Sequence, residues 1–431
     1  MHIGHRYYDV TPRVVRSNRE SQITITPLFD HVRFRDSETY QIALYPTEGA
    51  NRQTGWVDCP RLPVISSNGS ISFSYGFEDE QEYILILERI TGDQATAIAE
   101  FRLYALEDDL FSRHPYKGDT HLHSCYSDGK ESPAFVAASC RKIGLDFMAL
   151  TDHGQYAPSL EAIKAFEGIE TDLRIYPGEE VHPPDNPVHI VNFGGSFSIN
   201  ELFTTEAYRS EFASIENELD YIPAGVNRYT LASCIWCFRK IREAGGLGIF
   251  CHPYWLTRHR YDVPEYLTDL IFDAQPYDAL EIIGGYYRYE AESNMLQVAR
   301  YYEERSKGKR IPIVGASDSH GCAQADLFGW YYTIVFAKSS DLPDLIDAVR
   351  DLNSVAVEGL PGELTRAFGP FRLVKYAQYL IREIFPLHDE LCAEEGRLML
   401  EYAAGDRQAV HPLQGYKSRV EKLYDRMWGR N

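Results

Sequence analysis

From about residue 20 to residue 106, apolar and polar positions alternate with period two or run apolar between turn clusters. QITITPLF, QIALYP, SISFSYGF, EYILILERI and AIAEFRLYAL are punctuated by stretches such as SSNGS and TGD. Short strands separated in this way predict a β-sandwich-like domain over residues 1–110. The following EDDLFSRHPYKG breaks the pattern and reads as a linker.

Beyond residue 111 the period changes. GDTHLHS, DFMALTDH, RIYPGEEVH, VHIVNFGG, LGIFCHPYW, ALEIIGGYY, IPIVGASDSH and YYTIVFA read as strands, and helical patterns begin at Ser132, near Leu160, at Thr230 and near Ala291. Alternating strands and helices are the sequence form of an α/β sheet or barrel, here predicted over residues 111–360. Ser132 before Pro133 marks a helix start, and Gly245 with Gly246 a helix stop. Residues 199–228 interrupt the alternation and predict a helical insertion. From 361 to 431 the apolar spacing of FRLVKYAQYLIREIF, ELCAEEGRLMLEYAAG and SRVEKLYDRMW predicts a C-terminal extension of amphipathic helices.

Composition narrows the function classes. At 431 residues the chain is too long for one hydrophobic core, which agrees with this division. Lys and Arg number 43 against 63 Asp and Glu, a net charge of −20, which disfavours a nucleic-acid coat. No run of about 18 apolar residues predicts a membrane span, and MHIGHRYYDVTPRVVRSNRE lacks the apolar core of a secretory signal. Eight dispersed Cys without framework spacing predict reduced thiols in a cytoplasm. The one CxxC, Cys234 and Cys237, falls inside a helical pattern and reads as core.

Candidate chemistry gathers at strand ends, where an α/β barrel presents its active face. His121 and His123 lie two apart, so their side chains share one face. Alone, HxH is a weak signal. Asp128 in SDG is by itself an ordinary turn residue, and Asp152 with His153 in LTDH could simply cap a helix. Glu180 closes a strand in YPGEEVH, His189 opens one in PVHIVNFG, and His252 is held at a strand tip by Pro253. Asp318 and His320 end another strand, again two apart. Concentration of these residues at successive strand ends is what outweighs the structural explanation of each one.

These motifs resemble the polymerase-and-histidinol-phosphatase metallohydrolases. Residues 115–360 carry GDTHLHS with SDG, LTDHG, PGEEV, a following His, HP and GASDSHG in order. The resemblance implies a distorted seven-stranded β/α barrel with two to three divalent transition-metal ions (Zn, Mn or Fe). It implies a first ion at His121, His123, Glu180 and Asp318, a second at Asp128, His153 and His320, and a third at Glu180, His189 and His252. Glu180 is taken as the ligand, with the adjacent Glu179 left open. A β domain ahead of GDTHLHS also resembles the carbaryl-hydrolase-like branch of that superfamily.

Imidazole mixed with carboxylate suits zinc, manganese or iron better than calcium or magnesium. Ions close together activate a bridging hydroxide, which assigns the catalytic roles to Asp128, His153 and His320. Three ions, three ligand carboxylates and one hydroxide leave a charge of about +2, which favours an anionic small molecule. Arg258, His259 and Arg260 follow HPYWL, and Arg258 and Arg260 are candidate phosphate contacts. The expected function is hydrolysis of a small phosphate ester. Alternatives are a carbamate or carboxylic ester hydrolase and a non-catalytic scaffold; homo-oligomerisation is left open. Cys125, Cys251 and Cys322, beside the ligand motifs, are expected to be small buried packing residues.

Overall fold

The computed structural model describes residues 7–36, 38–49, 59–223, 225–287, 290–323 and 327–430. By contact density the chain divides into two compact units. The first comprises residues 1–114, 375–388 and 418–431, and the second residues 115–374 and 389–417. The helical region beyond residue 360 is therefore shared between them.

Period-two alternation builds the first unit. One sheet has the order β1–β3–β7–β6, from β1 (Tyr8–Thr11), β3 (Arg19–Pro27), β7 (Ser70–Phe77) and β6 (Ser66–Ser67). The other runs β2–β9–β8–β4–β5, from β2 (Val14–Arg16), β9 (Gln94–Leu106), β8 (Gln81–Thr91), β4 (Thr39–Pro46) and β5 (Arg61–Val64). In β8, Tyr83, Leu85 and Leu87 are buried while their neighbours are not, and they join Ile23, Ile25, Ile42 and Ile71 in one core. Within the same unit, Tyr379 Oη donates to the Arg13 carbonyl at 2.9 Å, tying the helix Phe371–Glu383 to the sheet.

The second unit is a mixed α/β structure with helices following its strands. Its larger sheet has the order β12–β11–β10–β20–β21–β22: Arg174–Tyr176, Phe147–Ala149, His114–Asp119, Tyr331–Ala337, Ser354–Glu358 and Arg366–Phe368. The smaller is β13–β14–β15–β18–β19: Gly178–Val181, Ile190–Phe193, Leu247–Phe250, Ala279–Gly284 and Ile313–Ala316. Burial on both faces explains why these strands read as apolar runs. Phe147, Ala149, Val191, Phe193, Leu247, Ile249 and Val314 enter one cluster, whereas Met148 and Leu150 turn to another.

The strands form two sheets rather than the single regular barrel expected. β14 runs antiparallel to both neighbours, while β15, β18 and β19 are parallel. Between the sheets, Leu122 bridges Ser319 and His153 bridges Glu180 as single pairs just past the ends of β10 and β11. His123 N donates to Ser319 O at 3.0 Å, and Gly154 N to Glu180 O at 2.9 Å. The segments stitched in this way carry the candidate ligands.

Helix signals behave as their chemistry dictates. Ser132 occupies the cap position in extended conformation with Pro133 first in the helix Pro133–Lys142, although its hydroxyl makes no capping bond. The helix Arg228–Glu243 is followed by Gly245 at φ +78°. In the predicted insertion, a 3-10 turn at Asn200–Thr204 leads into the helix Glu206–Glu218. Among the described residues no helix is long and apolar enough to cross a membrane.

Candidate metal centre

Strand ends supply the site. β10 and β19 stop at Asp119 and Ala316, so His121, His123, Asp318 and His320 sit on the segments just beyond, short of the strand positions the sequence suggested. Asp318 holds φ +51° and His252 φ +28°, a left-handed conformation that non-glycine residues adopt at a cost. At Gly285, φ +69°, a Cβ would come within 3.2 Å of Asp318 Oδ2, so the turn after β18 passes close to the site.

Glu180 is the centre of the arrangement. Its Oε1 lies 2.7 Å from His189 Nδ1 and 3.3 Å from His252 Nε2. Its Oε2 lies 2.5 Å from His153 Nδ1, 3.5 Å from His121 Nε2, 3.6 Å from His123 Nε2 and 3.6 Å from His182 Nε2. Asp318 Oδ1 closes the first group, 3.3 Å from His121 Nε2 and 2.8 Å from His123 Nε2. A second group forms where Asp128 Oδ1 lies 3.4 Å from His153 Nε2 and 3.1 Å from His320 Nε2. All nine residues expected to hold metal are thus brought together.

Neighbouring carboxylates have different work. Glu179, adjacent to Glu180 and therefore on the opposite strand face, is consumed by hydrogen bonds. Ser198 Oγ and Asn200 Nδ2 donate to its Oε2 at 2.8 Å each, and Ile199 N and Asn192 Nδ2 donate to its Oε1 at 2.5 and 3.2 Å. Asp152 is likewise a loop organiser: it accepts from Ser124 N and Oγ at 2.8 Å and from Ser127 Oγ at 2.6 Å. That leaves Glu180 as the acid turned inward. Both its oxygens, with His121 Nε2 and His189 Nδ1, are buried without a hydrogen-bond partner. Buried polar atoms left in this state, in a set of imidazole and carboxylate donors, fit a divalent cation.

Electrostatics follow from the geometry. Burial would raise the Glu180 pKa, but the surrounding imidazoles of His189, His121 and His153 outweigh it and hold the carboxyl well below its ordinary range. Burial would lower His252, yet Glu180 and Asp318 push it up to about 9. His121 and His153 are raised for the same reason, against the opposing effect of burial.

Two residues of the centre escaped sequence reasoning. His182 lies two positions after Glu180, the same spacing that singled out His121 and His123. Glu281 accepts from or shares a proton with His121 Nδ1 at 3.0 Å, a carboxylate–imidazole contact that fixes which ring nitrogen faces the site. Its signal was a lone acid inside the apolar run ALEIIGG. Arg258 and Arg260 are exposed on the hairpin of β16 (Leu256–Thr257) and β17 (Arg260–Tyr261), a few residues beyond His252, and neither makes a described ion pair. Among the flanking thiols, Cys251 is buried and directs its Sγ to His189 O at 3.2 Å, Cys322 is half-buried, and Cys125 is exposed. Cys125 corrects the packing expectation because the loop from Ser124 to Ser127 is held by Asp152 and leaves that side chain outside. Cys234 and Cys237 are buried.

No family model matches the chain. A stretch of 57 residues is 42% identical to the DNA polymerase/3'-5' exonuclease PolX of Bacillus subtilis, covering 13% of this chain and 10% of that protein's length. Among solved structures, the chain is similar to a two-domain protein of Bacteroides vulgatus that contains a predicted PHP-like metal-dependent phosphoesterase. There the identity is 20% and the TM-score 0.38, over 57% of this chain and 65% of that one. It is also similar to an amidohydrolase of Chromobacterium violaceum solved with sulfate and without metal, at 18% identity and TM-score 0.30, over 48% of this chain and 89% of that one. None of these matches singles out the carbaryl-hydrolase-like branch.

Proposed function

We propose that the chain is a metal-dependent hydrolase of the polymerase-and-histidinol-phosphatase (PHP) type, acting on a small phosphate ester. The observation that carries this is Glu180: a buried carboxylate that makes no aligned hydrogen bond, ringed by the nitrogens of His121, His123, His153, His182, His189 and His252. A fixed structural pair would have been satisfied by one partner. Such a ring suits a cation that the imidazoles and carboxylates hold jointly.

In this proposal His121, His123, Glu180 and Asp318 hold one ion, Asp128, His153 and His320 a second, and Glu180, His189 and His252 a third, within a distorted seven-stranded barrel. When bound, two or three zinc, manganese or iron ions supply Lewis acidity and lower the pKa of water towards neutrality. The residues themselves divide access. His121, His123 and Glu180 are fully buried and fix the floor of the site, while Asp128, His153 and His320 are partly exposed and form the edge that substrate reaches. His153 and His320 face a shared Asp128 oxygen through Nε2, which aims both rings at the position the second ion would take. Arg258 and Arg260, unpaired on their hairpin, are proposed to meet the phosphoryl oxygens. Eight free cysteines support a reducing, cytoplasmic setting.

The test loads the full chain with Zn²⁺ or Mn²⁺ and compares phosphomonoesters, phosphodiesters and neutral carboxylic or carbamate esters. Preferential turnover of a phosphate ester supports the proposal. Preference for the neutral ester would replace it with the carboxylic-ester or carbamate reaction, and no hydrolysis of any class would favour a non-catalytic role.

A further inference from the structure

The third ion site in the proposed scheme uses Glu180, His189 and His252, but the side chains around it are arranged differently. His182 follows β13 directly and keeps the face of Glu180. Its ring stacks on His189 with centroids 4.0 Å apart at 24°, and its Nε2 lies 2.8 Å from His153 Nδ1. One ligand atom from each of His153, Glu180, His182 and His189 can be drawn within 4.8 Å of the others. His252, by contrast, is buried and stacks on His121 with centroids 5.4 Å apart at 27°, towards the floor.

The backbone at His182 is held for this purpose. Asn200 Oδ1 accepts from His182 N at 3.1 Å, while the same amide's Nδ2 donates to Glu179 Oε2 at 2.8 Å and to Glu180 O at 3.2 Å. One side chain thus braces three residues of one short segment, with Glu179 turned out and Glu180 and His182 in. The His182 side chain is 36% exposed, against 17% for His189 and none for His121, so exposure rises outwards across the cluster.

We infer that His182 is a ligand of the centre, sharing one cation with Glu180 and His189. This rests on the metal-centre proposal. His182 supplies the solvent-facing side of that ion's site, whereas His252 secures the buried side of Glu180.

The experiment counts ions rather than turnover. Wild type, H182A, H189A and the double variant are stripped, reloaded with Zn²⁺, desalted and analysed for metal, and affinity for the weakest ion is measured against a chromophoric chelator. Far-UV circular dichroism checks the fold. Expected are loss of one ion per chain in H182A, or weakening of that ion by more than the about 10- to 100-fold that removal of a supporting partner produces. The double variant should lose no more than H189A alone, because both residues serve one ion. H182N, should H182A fold poorly, carries the same expectation. Full occupancy at wild-type affinity in the variant would overturn the inference while leaving the metal centre standing. So would a double variant that loses one ion more than H189A, since His182 would then act through His153. A wild-type chain that takes up no ion would overturn both.

Discussion

Arg141 and Glu180 are both fully buried in the second unit, yet their surroundings are built on opposite plans. Arg141 Nε donates to Glu395 Oε2 at 2.6 Å, and its Nη1 to Asp146 Oδ1 at 3.0 Å and Leu145 O at 3.1 Å. The other oxygens of these two carboxylates are used as well: Asp172 N donates to Glu395 Oε1 at 2.6 Å and Lys117 N to Asp146 Oδ2 at 2.9 Å, while Arg141 Nη2 makes no hydrogen bond and lies 3.9 Å from Asp172 Oδ2. Both clusters hold ions in a low-dielectric interior. The first supplies a permanent covalently attached cation; the second supplies only titratable imidazoles, none of which makes an aligned hydrogen bond to Glu180. Burial of charge therefore does not by itself mark a functional site. The marker is whether the counter-charge belongs to the chain.

The comparison breaks most visibly at the exposed edge of the centre. His153→Ala should reduce turnover by roughly a thousand-fold or more while far-UV circular dichroism stays unchanged. Near-native turnover would remove His153 from the machinery. Next in size is stability. Arg141→Ala leaves Glu395 and Asp146 without their cation, and breaking such a buried pair costs about 3–5 kcal/mol. Glu180→Gln should cost clearly less at pH 8, because imidazoles relieved of a carboxylate shed their protons freely there, whereas a carboxylate must be protonated at about 1.4 kcal/mol per pH unit. Urea unfolding of the two metal-free variants at pH 8 gives the ranking, and an equal or reversed order would show that the clusters are energetically alike.

Much of this was legible in the residues, for identifiable reasons. Period-two burial in β8 follows from its alternation, and the ligand residues are types that strand ends seldom collect by chance. What alternation cannot tell is which of two adjacent acids faces inward. Glu179 turns outward because Ser198, Ile199 and Asn200 bring it donors from a later loop, and that loop's path is a tertiary fact. Asp152 is hidden similarly, since its partners Ser124 and Ser127 are 28 and 25 residues away. His182 was within reach: the spacing rule applied to His121 and His123 applies equally to Glu180 and His182. The reversal of β14 is set by the short connection from β13, which permits a hairpin and not a crossover.

Smaller effects sharpen the same contrast. Arg258→Ala or Arg260→Ala should lower kcat/KM for a phosphate ester about 10- to 100-fold, the equivalent of one charge-assisted contact of about 1.5–3 kcal/mol. A neutral ester of similar size should be unaffected. Equal losses on both substrates would make the hairpin structural. Most diagnostic is pH. With His252 pushed up to about 9 and His121 and His153 also raised, the metal-free protein carries protons near neutrality that a cation must displace. The stabilisation from raised His252 is fully present below its unfolded pKa of about 6.5 and is lost as pH rises through about 9. Zn²⁺ affinity should therefore climb between pH 6 and 9, about tenfold per pH unit for each proton displaced. Calorimetry in buffers of different ionisation enthalpy reads the protons released; none released would contradict the charged state of the empty centre.

Metal content tests the central claim most directly. The full chain, purified without chelator or reloaded after stripping, should hold two to three divalent transition-metal ions per chain, and Glu180→Gln should hold at most one, while Arg141→Ala, assayed under conditions where it is folded, should keep the wild-type number. One ion or none in the wild type after reloading, or wild-type metal content in Glu180→Gln, would contradict a centre organised on Glu180.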